Sequence, residues 1–455
     1  MNENGTLVNK FFGFLFLLVS NTLVLPANAE ALHGQQHILN IAIENTGLYT
    51  VSMWVPFGST SDSVPGIAHV MEHLKFKHSN GKGFAAFDVV PGSNSNAATT
   101  YQYTRYDLNV PPGGLAEGLR NLAKMIVPLS ITEKDLKIEK LVVTQELLQR
   151  TQSDPDTQFY LDFNSELFKG MAFEKYPGGS VADVAKVSMQ DVLSFDAAHY
   201  QNSSFFLQIS GPYLTPANRQ AIRSTFPNAI YGGFLVNREF RVKHEDKDLE
   251  DLSSFLPASA VVAVEPSTFE KQKTSDRART TKMTWSKIIS APTSWRAVAA
   301  SSVLADAMRS RLAEGLRDKI ADDAGLVQSW NISVGRVSEG IWQMQFTASL
   351  QSGVEPQKVK AILENYLSSL ATSGISQMSF ERLKKRNFLL SEWENVDGRV
   401  RSLGQDIVDF GFKNATSYLH EIELLELDDV NNLMVALQKP GRVGVALISP
   451  AGATQ

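Results

Sequence analysis

The sequence predicts an α+β fold in two similar halves, on three observations. Strand-like alternation and helix-like apolar periodicity follow one another along the chain. A charged, irregular stretch from about Asn237 to Lys282, broken by Pro257 and Pro266, interrupts them near the middle. Beyond it similar elements begin again in a similar order, which suggests an internal duplication of pattern with no visible residue identity. The length of 455 residues agrees, since at about 150 residues per domain it allows two to three domains with cores of their own.

Taken in order, His37 to Val55 reads as strand and Gly58 to Pro65 as a polar turn into a helix starting near Gly66. Leu115 to Ile126, Ile131 to Gln149 and Val187 to His199 read as helices, and Asp107 to Val110 and Ser204 to Ile209 as strands. After the irregular stretch come a strand (KMTWSKII), a long helix from Arg296 to Ile320, strands at Trp330 to Val334 and Trp342 to Leu350, and a helix from Pro356 to Leu370. The expected domains are 30–236 and 283–455, joined by a boundary segment at 237–282. Residues 1–29 stand apart as a secretory signal peptide: Lys10, the apolar run Phe11 to Leu25, then Ala27-x-Ala29. The run is short and is interrupted by Ser20, Asn21 and Thr22, which disfavours a membrane span. Cleavage near Ala29 and export, periplasmic or secreted, are the expectations.

Composition narrows the chemistry. A net charge of −5 leaves no basic excess for neutralising phosphates, which argues against nucleic-acid binding. The absence of cysteine excludes thiolate nucleophiles, cysteine-ligated zinc and iron–sulfur clusters. Any metal must rest on histidine, carboxylate or carbonyl oxygen. Neither a glycine-rich phosphate loop nor a serine nucleophile elbow is present.

The informative segment is Gly66-Ile67-Ala68-His69-Val70-Met71-Glu72-His73-Leu74. His69 and His73 are four apart, so on a helix both imidazoles share one face and can hold a single metal ion. Glu72 sits beside that ion and can act as general base, accepting a proton from a water the metal activates. The order His-x-x-Glu-His is inverted relative to the common zincins. With 8 histidines, random placement yields this pattern in about one or two chains in a hundred, so a third ligand is needed to give it weight. The Ile131 to Gln149 helix offers one. Glu139 and Glu146 are seven apart and share a face, and Leu141, Val142 and Val143 imply that the helix is partly buried. A buried carboxylate requires a cation or hydrogen-bond donors. The alternative for Glu146 is a salt bridge to Arg150 at i+4, worth a few tenths of a kcal/mol.

These residues resemble the pitrilysin/insulinase zinc peptidases, the inverzincins. The likeness extends from GIAHVMEHLKFK through GSNSNAATTYQYTRYDLNVP, EKLVVTQEL, YPGGSVADVAKVSMQDVLSF and HYQNSSFFLQISG to SRLAEGLRDK. The resemblance implies two homologous α+β domains, each an antiparallel-rich sheet packed with helices, forming half of a four-domain clamshell. It implies one Zn2+ per chain in the first domain, with His69, His73 and Glu146 as ligands, Glu139 as a supporting carboxylate and Glu72 as catalytic base. Asn96, Ala97 and Thr99 match the edge strand that binds substrate as an added strand. Arg317 matches an arginine of the second domain that contacts substrate near the cleaved bond. The tyrosine that follows it by seven residues in active single-chain members is here Gln328, eleven residues on. A chain with two such domains implies a homodimer, or a heterodimer with a related subunit that supplies the missing tyrosine.

The expected function is therefore an exported zinc metalloendopeptidase acting on peptides or unfolded polypeptide. The competing expectation is a non-catalytic or partner-dependent subunit, because the family includes members that keep the fold and lose the chemistry. The intact set His69, Glu72, His73 and Glu146 argues against it. A periplasmic small-ligand binder would need neither a metal nor the inverted motif.

Overall fold

The computed structural model of the chain describes residues 36–43, 46–80, 90–201, 204–236, 263–292, 294–312, 315–322, 324–393, 403–408, 411 and 418–451. The expected signal peptide lies outside them. Strands β1 (Gln36–Ile43), β2 (Tyr49–Val55), β3 (Asn94–Thr99), β4 (Thr104–Val110), β5 (Phe205–Gly211) and β6 (Ile230–Val236) form one sheet in the order β3-β4-β2-β5-β1-β6. A second sheet holds β7 (Ser267–Ser275), β8 (Lys282–Ser290), β9 (Val327–Ser338), β10 (Ile341–Leu350) and β11 (Arg442–Pro450) in the order β9-β10-β8-β11-β7.

Matching β7 to β11 with β1 to β5 in turn makes the two orders the same. Strand directions agree as well: β1–β5 and β7–β11 are parallel, and every other matched pair is antiparallel. β6 is an additional parallel edge on β1. The duplication legible only as a pattern in the sequence is therefore present as topology, in two mixed sheets dominated by antiparallel pairs.

Strand chemistry follows position. β5 is buried along its whole length, as expected of a central strand in FFLQISG, whereas β4 alternates buried and half-buried residues with one face inward. In the first unit, α1 (Ile67–Asn80) packs against α2 (Leu115–Met125), α3 (Glu133–Ser153) and α6 (Met189–His199) over a core that includes Val51, Met53, Val70, Met71, Leu74, Leu207 and Ile209. Between them run α4 (Pro155–Leu167) and α5 (Val181–Lys186), and α7 (Pro216–Thr225) follows β5. In the second unit α8 (Trp295–Arg309) is the central helix.

Several sequence expectations are corrected. The stretch His37 to Val55 is two strands, and β5 is inserted between them in the sheet, so long-range pairing replaces a local hairpin. The helix expected over Arg296 to Ile320 stops at Arg309. Ser310 is extended, and a Cβ at Gly315 would lie 2.0 Å from the Ser310 carbonyl oxygen, so the chain folds back there before a π-helical turn at Asp318–Asp322. β7 lies inside the segment expected to be a boundary. Its polar alternation (Glu270, Lys271, Gln272, Lys273) hid it, because an edge strand paired only with β11 can expose such side chains.

The two units share a core. Phe163 and Leu167 of α4 meet Val264, Ile288 and Ala446 of the second unit. Asp156, almost fully buried, pairs with Lys273 at 3.1 Å and Lys282 at 3.7 Å, and Arg442 donates to the Leu167 and Lys169 carbonyls. Among the described residues no helix is long and apolar enough to cross a membrane.

His37, on β1 between β5 and β6, is 2% exposed, and burial pushes its imidazole down to about 4 from 6.5. The unfolded chain then binds more protons than the folded one below pH 6.5, so stability from this group is present above 6.5 and is lost as pH falls toward about 4. The expected loss is on the order of 3 kcal/mol across that window. Urea unfolding at pH 7 and at pH 4.5 should show a smaller difference for His37→Gln than for the wild type. Equal differences would mean that another group carries the acid sensitivity.

Candidate metal centre

The start of α1 is fixed before its side chains matter. Asp62 accepts from the backbone N–H groups of Gly66 at 2.6 Å and Ala68 at 3.0 Å, capping the helix. Gly66 has φ +87, and a Cβ there would meet the Gly178 carbonyl oxygen at 2.7 Å, so this glycine serves both the turn and the contact. The helix entering from that turn is buried almost throughout, which brings His69, Glu72 and His73 inward at 5%, 5% and 8% exposure.

Their donor atoms all lie within 4.8 Å of one another, and the two rings meet edge to face at 5.1 Å. Glu146 of α3 closes the group, its Oε2 lying 3.6 Å from His69 Nε2 and 3.4 Å from His73 Nε2. Tetrahedral zinc with bonds of about 2.0–2.1 Å separates its donor atoms by about 3.4 Å, so this set fits such an ion. His69 Nδ1 is buried without a hydrogen-bond partner, so packing holds that ring and no competing hydrogen-bond network claims it. Two carboxylates thus approach the histidine pair. Glu146 Oε2 faces both imidazole Nε2 atoms, whereas Oε2 of Glu72 accepts from the Thr99 hydroxyl at 2.6 Å.

The other Glu146 oxygen accepts from Arg150, whose guanidinium also donates to the Tyr176 hydroxyl at 2.6 Å. The salt bridge weighed as an alternative therefore coexists with the histidine contacts, one carboxylate oxygen serving each. Glu139 Oε2 lies 3.6 Å from His73 Nδ1, and its Oε1 lies 3.6 Å from Lys77 Nζ. It stands where a supporting carboxylate fixes the tautomer of a ligating histidine. Burial alone would lower the His73 imidazole. Hydrogen bonds to Glu139 and Glu146 and the Glu72 charge outweigh it and raise the group to about 9. His69 and then His73 hold the Glu146 carboxyl well below the usual carboxylate range. Both shifts say that the site favours a cation.

The structure corrects one argument about α3. Leu141 and Val142 are 58% and 45% exposed, and the buried face carries Leu136, Val143 and Leu147 beside Glu139 and Glu146. A capping box of Thr132 and Asp135 starts the helix. Asn96, Ala97 and Thr99 lie on β3, the edge of the first sheet, as the resemblance implies. Arg317 belongs to the second unit, where its Nε donates to Asp322 at 3.0–3.1 Å; among the described contacts it reaches none of the His69 group. Gln328, at the start of β9, donates to Gln351 at 3.5 Å. Lys77 escaped the sequence reading although it lies at i+4 from His73, a spacing that could have revealed it. Arg150 had been weighed only as a competitor.

Fold and donor set together define a peptidase-like α+β protein with a site that fits a metal ion. Residues 39–171 match the family model of insulinase, peptidase family M16, a match that supports a pitrilysin/insulinase-family chain. Zinc protease PqqE of Helicobacter pylori is 25% identical over 222 residues, 44% of this chain and 50% of that protein. The matched region thus spans half the length of that relative. Mitochondrial-processing peptidase subunit beta of Caenorhabditis elegans is 21% identical over 436 residues, 90% of this chain and 87% of that one. Among solved structures, pitrilysin aligns with a TM-score of 0.70 at 17% identity, over 90% of this chain and 43% of its own. A peptidase M16 inactive domain from Pseudomonas fluorescens aligns at 0.68 and 13% identity, over 95% and 99%. At these identities the structures speak for the fold alone.

Replacing Glu139 by Gln is expected to weaken zinc binding about 10- to 100-fold, by loosening the His73 ring. His69→Ala should abolish stoichiometric binding. Competition titration against a chromogenic chelator checks both, and unchanged affinity in Glu139→Gln would remove the supporting role.

Proposed function

We propose that this chain is a zinc metalloendopeptidase that hydrolyses peptides or unfolded polypeptide segments, with Glu72 as general base. The observation carrying this reading is the convergence of His69, His73 and Glu146, whose Oε2 lies 3.6 and 3.4 Å from the two imidazole nitrogens, with a second carboxylate, Glu72, within 4.8 Å of the histidine donors. The zinc protease among the relatives supports the choice of metal.

An extended peptide would add to β3, whose outer edge is unpaired within the sheet, through main-chain hydrogen bonds at Asn96 to Thr99. Bound zinc, held by His69, His73 and Glu146, supplies a Lewis acid that activates water near neutral pH and polarises the scissile carbonyl. Glu72 takes the proton of the attacking water and returns it to the leaving amine. The 5% exposure of Glu72 keeps bulk water from exchanging that proton.

Two extensions belong to the same proposal. The apolar run Phe11 to Leu25 followed by Ala27-x-Ala29 supports export of the mature chain. The matched half-length of pitrilysin supports pairing with a second two-domain chain, and Gln328 in place of a tyrosine favours a related chain that carries the tyrosine. The second reading, a non-catalytic or partner-dependent subunit, is favoured by Gln328.

Zinc-loaded wild type and its Glu72→Gln variant, incubated with a mixed set of unstructured peptides and read by mass spectrometry, decide between them. Cleavage by the wild type that falls about 10²- to 10⁴-fold in the variant is expected. A folded, zinc-loaded wild type that cleaves nothing favours the second reading.

A further inference from the structure

A run of hydroxyl groups lies behind Glu72. Glu72 Oε2 accepts from Thr99 Oγ1 at 2.6 Å, and Thr99 Oγ1 lies 3.5 Å from Thr104 Oγ1. Thr104 donates to the Phe57 carbonyl at 3.0 Å and is hydrogen-bonded to Tyr200, whose hydroxyl meets that of Tyr106 at 2.8 Å. Thr104 and Tyr106 are fully buried and Tyr200 is 2% exposed.

Counting protons gives this array a direction. Each hydroxyl owns one proton. That of Thr99 goes to Glu72, and that of Thr104 goes to the Phe57 carbonyl. The Tyr106 and Tyr200 hydroxyls share a hydrogen bond of their own at 2.8 Å. No proton points between Thr99 and Thr104, so the array cannot carry a proton away from Glu72 without reversing several buried hydrogen bonds. It is a brace and not a wire. Because Oε2 is permanently engaged, Oε1 is the oxygen left to accept and return a proton.

We propose that Thr99 is the positioning residue for Glu72, fixing the carboxylate so that Oε1 alone faces the reacting atoms. The kinetic consequence rests on the peptidase reading; the geometry does not. Thr99 belongs to β3, so the strand proposed to seat the peptide and the side chain that orients the base are one rigid element. A substrate in register on β3 is thereby in register with Glu72.

The test compares Thr99→Val, which keeps the shape and loses the hydroxyl, with Thr99→Ser, which keeps the hydroxyl. In Thr99→Val, kcat is expected to fall about 10- to 100-fold while KM and zinc affinity stay within about 3-fold of wild type, the pattern of a misplaced base. Thr99→Ser, which restores the hydroxyl, should recover most of the kcat lost in Thr99→Val. Crystal structures of the zinc-loaded variants give a readout independent of activity: the Glu72 carboxylate should be rotated in Thr99→Val and unmoved in Thr99→Ser. Should Thr99→Val fail to fold, Thr99→Ala takes its place. An unchanged kcat in Thr99→Val, equal losses in both variants, or an unmoved carboxylate in Thr99→Val overturns the proposal. If wild type cleaves no peptide, the peptidase reading is lost, and the carboxylate orientations still decide the role of Thr99.

Discussion

Burial of α1 is the constraint on which the rest of the first unit depends. Ile67, Val70, Met71 and Leu74 are fully buried, and the same helix carries His69, Glu72, His73 and Lys75 into the interior with them. An uncompensated charge there would cost several kcal/mol, so each polar side chain requires a partner on another element. Lys75 finds Asp196 of α6 at 2.5 Å, the Val127 carbonyl at 3.0 Å and the face of Tyr200 at 4.4 Å. Glu72 finds Thr99 of β3. The two histidines find Glu139 and Glu146 of α3. The placement of α3, α6 and β3 around α1 is therefore set by the polar needs of one helix as much as by apolar packing. Asp196 extends the logic by also accepting from the Leu129 N–H at 2.8 Å and from Gln201 at 3.0 Å. Removing one member of the Lys75–Asp196 pair leaves the other buried and unpaired, a loss of about 3–5 kcal/mol.

The division of labour between carboxylates follows from the same accounting. Glu146 is half-buried and can face both ways, one oxygen toward the imidazoles and one toward Arg150 at the surface. Glu139 is shared between His73 and Lys77, one oxygen facing each. Glu72 alone has no cation of its own among the described ion pairs, only a neutral hydroxyl. A carboxylate so placed can take up a proton without breaking a salt bridge, whereas Glu146 and Glu139 would each lose one. The geometry thus separates the residue suited to proton transfer from those suited to holding charge.

Much of this was legible in the sequence wherever short-range periodicity carried the information. The spacing of His69, Glu72 and His73, and of Glu139 and Glu146, survives folding because a helix fixes i+4 and i+7 geometry whatever surrounds it. What stayed illegible depends on contacts between distant segments. Lys75 and Asp196 are 121 residues apart, and neither position announces the other. Thr99 was expected only as part of a substrate-binding strand, because its hydroxyl contact depends on the register of β3 against β4 and on the depth of α1. Leu141 and Val142 misled for a simple reason: a run of three apolar residues on a helix must turn at least one of them outward. β7 was hidden by its charge, and the separation of β1 from β2 by β5 is a matter of topology that no local pattern encodes.

The second unit repeats the frame without the chemistry. Between β8 and β9, where the first unit places α1, α8 presents Ala299, Ala300, Ser301, Val303 and Leu304 to the interior, so the position of the donor helix is kept and its donors are replaced by small and apolar side chains. The segment after α8 departs further. After Arg317 the chain takes up a π-helical turn at Asp318–Asp322. Asp322, within that turn, engages Arg317 through Nε and leaves the terminal N–H groups of the guanidinium to other acceptors. Asp322 thereby gives Arg317 an orienting partner. Gln328 sits at the head of β9 and its amide donates to Gln351. Of the arginine–tyrosine pair that the resemblance implies, Arg317 is present and position 328 holds glutamine, and the proposal of a second, related chain rests on that difference.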